Sequence, residues 1–209
     1  AGFSTAIHRR AAAGIRCRMR AQCVRLEFSM SLQARTASLQ LNTDESLRGL
    51  LALGLLEAEG GALDQLPPEF AVERDRIILR WTTHYAGKQP ADIPGVAETR
   101  ALFHALDIDP TKNRPSSEAL LRRVLQGKGL PEVNAAVDVC NLCSLDHQLP
   151  LGLYDRDQVK GVIQARIGRE DESYLGIRQQ RVGLRGRPLL PDDEGPFGAP
   201  TSDSARTAV

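Results

Sequence analysis

The first apolar cluster lies between residues 36 and 59. Leu39, Leu41, Leu47, Leu50, Leu51, Leu53, Leu55 and Leu56 crowd together there. The run Leu50–Glu59, closed by Gly60-Gly61, reads as a short buried strand or as a helix, because periodicity does not separate the two at this length. From Glu69 to Tyr85 the spacing becomes helical. Phe70, Ile77, Ile78, Trp81 and Tyr85 form a stripe behind Pro67-Pro68, and Gly87 stops it. Pro94-Gly95 opens a second helix with Val96, Leu102, Phe103 and Leu106 on one face. Asp107-Ile108-Asp109-Pro110 ends it, since proline restricts the residue before it. Thr111–Pro131 is the most helix-like stretch. Ser116 or Ser117 is placed to cap it, Leu120, Leu121, Val124 and Leu125 form its stripe, and Gly127, Gly129 and Pro131 terminate it.

Beyond Pro131 the pattern becomes strand-like. Val133, Val137, Val139 and Leu142 are separated by small or polar residues, and Leu149–Tyr154 leads into the turn Asp155-Arg156-Asp157. Val159, Gly161, Ile163, Ala165 and Ile167 alternate as in a half-buried strand. Gly168–Glu172 reads as a turn, and Gly176–Leu190 as a hairpin with Gly183 and Gly186 near its tip. Pro191–Ser204 is rich in turn residues. Helices followed by strands predict an α+β (α/β layered) domain, not a βαβ repeat.

Charge is unevenly placed. Six of the 27 bases and none of the 26 acids fall in the first 26 residues, so the rest of the chain is net −5. Residues 1–35 therefore read as a basic, disordered N-terminal extension, and 36–209 as one domain that is truncated at its C-terminus. The overall balance of +1 excludes a histone-like protein. Aromatics at 4% argue against an aromatic platform for single-stranded nucleic acid. The longest uncharged apolar run, Gly49–Leu56, is far short of the ~20 residues of a membrane-spanning helix, so no membrane partner is expected. Four cysteines make no disulfide framework, which fits a reducing, cytoplasmic setting. Within 111–131, Lys112, Arg114, Arg122, Arg123 and Lys128 face a single acid, Glu118, a basic patch suited either to solvent or to phosphate. A second basic stretch, 176–188, holds Arg178, Arg181, Arg185 and Arg187 with no acid.

Recognisable catalytic motifs are few. Cys140-Asn141-Leu142-Cys143 is a CxxC with only His147 nearby, too few ligands for tetrahedral zinc, so neither metal nor cofactor is expected. There is no Walker loop, GxGxxG, HExxH or GxSxG. Thr201, Ser202 and Asp203 offer hydroxyls and a carboxylate, but no neighbouring histidine completes a triad. Gly195-Pro196-Phe197-Gly198 reads as a glycine turn and Asp192-Asp193-Glu194 as a solvated acidic turn. Asn134, Asp138 and Asn141 are polar residues in an apolar stretch. They either pin local backbone or face a cavity.

Two segments carry a family resemblance. Asn134-Ala135-Ala136-Val137-Asp138-Val139-Cys140-Asn141 and Leu149-Pro150-Leu151-Gly152-Leu153-Tyr154-Asp155 resemble the patterns N-x-V-D-V-T-N-Y and Q-P-M-H-A-F-D of the B3/4 domain of the phenylalanyl-tRNA synthetase β subunit. More broadly, residues 44–209 resemble freestanding B3/4-domain proteins, through Asn113–Arg123 and Gly195–Ser204. The resemblance implies a B3/4 fold, with helices preceding a mixed, β-sandwich-like sheet. In the synthetase this domain hydrolyses the ester of tyrosine wrongly attached to tRNA, chemistry that needs only a positioned water and an oriented ribose.

What the resemblance implies for this chain is a tRNA or aminoacyl-tRNA partner, with no DNA, and a pocket of Asn134, Asp138, Cys140, Asn141, Pro150, Gly152 and Tyr154. The family's pocket threonine falls on Cys140 and its editing histidine on Gly152. The glutamate that recognises tyrosine falls near Pro200. Thr201, Ser202 and Asp203 remain the catalytic candidates, and Lys112, Arg114, Arg122, Arg123 and Lys128 the RNA-binding ones. The resemblance does not imply a complete aminoacyl-tRNA synthetase. The readings that follow are a free-standing deacylase of misacylated tRNA, or a module that binds tRNA, an aminoacyl group or a small ligand without hydrolysis.

Overall fold

A computed structural model describes residues 39–58 and 64–209. The basic extension, Cys17 and Cys23 lie outside the described residues. Four helices come ahead of most of the strands. α1 (Pro68–His84) takes proline in its first turn, where an N–H has no partner anyway, and buries Phe70, Ile77 and Trp81. α2 (Val96–Ala105) buries Val96, Thr99 and Phe103, and the Glu98 carboxylate accepts the Gly95 N–H at 2.6 Å. α3 (Ser116–Leu125) buries Leu120, Leu121 and Val124. α4 (Ala135–His147) packs on α3 and α1 through Ala135, Leu142 and Leu145.

The strands form a five-stranded mixed sheet in the order β1 (Gln40–Thr43), β2 (Val162–Ile167), β5 (Pro188–Asp192), β6 (Gly195–Ala199), β7 (Ser202–Asp203). β1 runs parallel to β2, and the other neighbours are antiparallel. A separate two-stranded hairpin pairs β3 (Ser173–Leu175) with β4 (Arg181–Gly183). Ile163 and Ala165 point inward from β2 as alternation requires. Ala165 meets Leu47, Phe103, Leu106 and Ile108, while Ile163 meets Val159 and Phe197. The molecule is thus a mixed α+β fold, with helices and a mixed sheet joined by these clusters.

Several expectations are corrected. Leu50–Ala58 is neither strand nor helix; Leu47 is buried in the core, Leu39, Leu41 and Leu51 pack against it in part, and Leu56 is 89% exposed. Residues 133–142 are not strand. Asn134 accepts the Val137 N–H at 2.9 Å, and Asp138 reaches back to the Val133 N–H at 2.9 Å. These two bonds start a helix despite the β-branched residues. α3 is not capped by serine: Pro115 occupies the cap position, and both serines lie in the first turn. The hairpin turns at 176–180 rather than at Gly183 and Gly186. Gly195–Gly198 is strand β6, and its Phe197 is wholly buried. The Asp192 side chain is not solvated. It is buried against Arg206, whose guanidinium reaches it at 2.8 and 3.0 Å.

Candidate functional site

The final residues of the chain stitch several elements together. Ser204 N–H donates to Phe197 O at 2.8 Å, Ala205 N–H to Leu175 O at 2.8 Å, and Asp155 N–H to Thr207 O at 2.9 Å. This brings β7, β3, β6 and the loop after α4 to one place. Ser144 on α4 anchors that loop by donating to Leu149 O at 2.6 Å.

Tyr154 stands where these elements meet. Its ring packs edge-on against Phe197 at 5.0 Å, and its hydroxyl donates to Asp203 Oδ1 at 2.8 Å. Glycine at 152 and 198 leaves room for it. A Cβ at Gly152 would lie 2.6 Å from the Tyr154 hydroxyl oxygen, and one at Gly198 would lie 2.3 Å from it. Tyr174 of β3 donates to Ser202 O at 2.6 Å and sits 3.3 Å from the Ser202 hydroxyl.

The electrostatics single out one group. Burial raises the Asp203 carboxyl above its ordinary range, and the Tyr154 bond offsets only part of that rise. Asp203 is half-buried, and its Oδ2 has no hydrogen-bond partner among the described residues. Burial, aided by Asp203, holds the Tyr154 phenol well above its usual value. Burial, then Cys143 and Asp203, raises the Cys140 thiol, so it is a poor source of thiolate. Cys143 is raised too, by burial and then Asp146. Among the described residues no group of three or more His, Cys, Asp or Glu is arranged to hold a metal ion. Nor, among these residues, is any helix long and apolar enough to cross a membrane. Asp203 is the base this cluster offers, with phenols and hydroxyls around it.

Residues 98–209 match the B3/4 domain. The chain belongs to the B3/4 domain family. It is also similar to phenylalanine–tRNA ligase β subunits. Over 86 residues it is 35% identical to that of Brucella abortus (strain 2308), covering 41% of this chain and 11% of the relative. Over 96 residues it is 34% identical to that of Paramagnetospirillum magneticum (46% and 12%), and over 73 residues 39% identical to that of Bradyrhizobium diazoefficiens (35% and 9%). The chain therefore spans about a tenth of the length of these curated relatives.

Within this B3/4 domain the expected pocket residues divide. Cys140 and Tyr154 interact electrostatically beside Asp203, and Gly152 abuts Tyr154. Asn134 and Asp138 pin the start of α4, and Asn134 Nδ2 also lies 3.5 Å from Val209 O. Asn141 is half-buried, while Pro150 is exposed on the loop. Of the catalytic candidates, Asp203 and Ser202 belong to the cluster, whereas Thr201 opens onto a different cavity with Arg187. Phe197 and Gly198 read from the sequence only as part of a glycine turn, and Tyr174 carries no signal of a site there. Nothing local marks them, since the Tyr154–Asp203 contact spans 49 residues.

The basic patch is also divided. Glu118 is fully buried; Arg100 reaches it at 2.8 and 2.9 Å, Arg122 at 2.8 Å and Arg114 at 3.7 Å. Arg122 is thus committed inward rather than presented to a phosphate. Lys112, Arg123 and Lys128 are exposed and make no ion pair among the described residues.

Proposed function

We propose that this B3/4 domain protein is a free-standing trans-editing factor that hydrolyses the ester of misacylated tRNA. The observation that carries the reading is Asp203. It is a half-buried carboxylate with a raised pKa, one oxygen bonded by Tyr154 and the other without a protein partner among the described residues. A carboxylate moved toward neutrality is a better general base. In the proposed step Asp203 takes a proton from water as the water oxygen attacks the ester carbon. The bond to the ribose oxygen breaks, and that oxygen receives the proton. The similarity to phenylalanine–tRNA ligase β subunits supports tRNA as the carrier. Lys112, Arg123 and Lys128 supply cations for its backbone. A sandwich-like packing of the two sheets and a cytoplasmic location belong to the same reading.

A second reading is favoured by one observation, the glycine at 152 where the resemblance places an editing histidine. In it the domain binds tRNA, an aminoacyl group or a small ligand without hydrolysis. Release of labelled amino acid from a panel of misacylated tRNAs separates the two. The deacylase releases label above the spontaneous rate, and Asp203→Asn lowers that rate about 100-fold with uncharged-tRNA binding intact. Binding without release assigns the second reading. Absence of tRNA binding at low salt rejects tRNA as the partner in both.

A further inference from the structure

The β3–β4 hairpin carries cations that no carboxylate neutralises. From Ser173 to Pro191 the chain holds four arginines and no acid. Two of the four are accounted for. Arg185 lies 2.7 Å from the Glu170 carboxylate, and Arg187 borders Asp107 and Asp109. Arg178 and Arg181, at the hairpin tip, are exposed and form no ion pair among the described residues. They differ in this from Arg114 and Arg122, which Glu118 draws inward.

The tip is closed by its own backbone, and one guanidinium is tethered there. Gly176 N–H donates to Gln180 O at 2.8 Å, and Gln179 N–H to Gly176 O at 2.8 Å. Arg181 lies opposite Leu175 in the ladder, and its Nε donates to Ser173 Oγ at 3.0 Å. Its two Nη groups make no hydrogen bond among the described residues. Such a fork matches two oxygens of one phosphate.

The hairpin is also laid against the candidate base. Ile177 N–H donates to Asp203 O at 3.3 Å, Ala205 N–H to Leu175 O at 2.8 Å, and Gly176 bridges Ser204 in antiparallel register. Ile177 is therefore the residue opposite Asp203, and Arg178 is the next along the chain. A nucleotide strand whose terminal ribose sits at Asp203 brings its preceding phosphates within the span of these arginine side chains. Leu175 and Ile177, both exposed, add an aliphatic surface beside the cations. Single-stranded RNA presents phosphates, ribose and unstacked bases together, which suits this mixture of charge and apolar surface.

We propose that the tip of the β3–β4 hairpin holds the single-stranded 3′ end of tRNA, with Arg178 and Arg181 on its phosphates and Leu175 and Ile177 against its sugars and bases. The assignment rests on the reading of tRNA as the partner. It adds a surface separate from Lys112, Arg123 and Lys128.

The test is an anisotropy titration of the full chain with two labelled RNA stem-loops, one ending in single-stranded CCA and one blunt. Wild type is expected to bind the CCA-ended RNA about tenfold more tightly at low salt. Arg178→Gln combined with Arg181→Gln is expected to remove most of that difference. At ~0.7 unit per phosphate contact on a single strand, it should also reduce the salt slope by about 1.4 units. Binding of the blunt RNA and the melting temperature are expected to stay as in wild type, since both side chains are exposed. Gln180→Lys adds a cation to the same turn and is expected to tighten binding of the CCA-ended RNA about threefold, a gain that a folding defect does not produce. Wild-type binding with an unchanged salt slope in both variants would overturn the hairpin assignment and leave tRNA as the partner. Failure of wild type to bind either RNA would reject the partner and the hairpin assignment with it. Equal weakening on both RNAs would overturn the placement of the 3′ end, and competition by polyglutamate as strong as by the CCA-ended RNA would give the surface to an acidic protein instead.

Discussion

Glu118, fully buried, and Asp203, half-buried, are two carboxylates that the chain surrounds with opposite chemistry. Burial pushes the Glu118 pKa up, but bonds from Arg100 and Arg122 outweigh it, and the group is held below its ordinary range. Its bonds to Arg100 tie α2 to α3. Among the described residues Asp203 has a single hydrogen-bond partner, the neutral Tyr154, and burial wins. Asp192 follows the first pattern: burial raises it, while Arg206 and the Lys160 and Glu194 backbone N–H groups bring it below its usual value. Buried carboxylates with guanidinium partners are joints, and the one without is available for proton transfer.

The sharpest way to break this comparison is Glu118→Ala. It strands two guanidiniums beside the core, so a loss of about 2–4 kcal/mol is expected. In a domain this size that lowers the melting temperature by about 5–15 °C. A change near zero would remove the distinction.

Asp203→Asn should behave oppositely. Its folded pKa lies above 3.8, so the folded state keeps the proton to higher pH than the unfolded chain does. Stability from this group is therefore lost as pH rises from 3.8 through the folded value. Asparagine does not ionise and can still accept the Tyr154 hydroxyl. Melting at pH 8 should equal or slightly exceed wild type while ester release falls. A destabilisation as large as that of Glu118→Ala would make Asp203 structural.

Glu172 gives a calibration on the joint side. Arg166 bonds it from two nitrogens, and that hydrogen bonding, with the Arg169 N–H, lowers it from 4.5 to about 2. Stability from a depressed carboxyl is present above pH 4.5 and is lost as pH falls through about 2. Glu172→Gln should cost about 1–2 kcal/mol near pH 6, the exposed share of the pair being screened, and nothing at the acid end. Denaturant unfolding at several pH values reads this directly. The smallest effect concerns the surface. Arg123→Ala and Lys128→Ala should each reduce the salt slope of tRNA binding by about one unit at unchanged stability. Arg122→Ala should instead lower the melting temperature and leave the slope alone.

Helices α1, α2 and α3 were legible because each carries a single apolar stripe between clear stops, as Phe70, Ile77 and Trp81 do before Gly87. α4 was not. Its stripe of Ala135, Leu142 and Leu145 is sparse, and Val133, Val137 and Val139 mimic a strand. The deciding signals were the two side-chain bonds of Asn134 and Asp138, which only the folded backbone reveals. The candidate site was half legible. Cys140, Gly152, Tyr154 and Asp203 came from motif order. Tyr174 and Gly198 come from segments that meet through tertiary packing alone. Glu118 looked like one acid among five bases, and its burial turned Arg122 from a surface charge into a core one.

The tight fit at Gly152 also bears on the routes by which this sequence can change. Any side chain at 152 collides with the Tyr154 ring and hydroxyl, and any at 198 collides with the same hydroxyl. The three positions are therefore epistatic. Gly152→His, the change that would restore the histidine of the family pattern, is blocked while Tyr154 holds its bond to Asp203. Tyr154→Phe releases that tether, so the tolerated order of substitution runs through 154 before 152. A chain with this tyrosine at 154 therefore reaches histidine at 152 only by two changes.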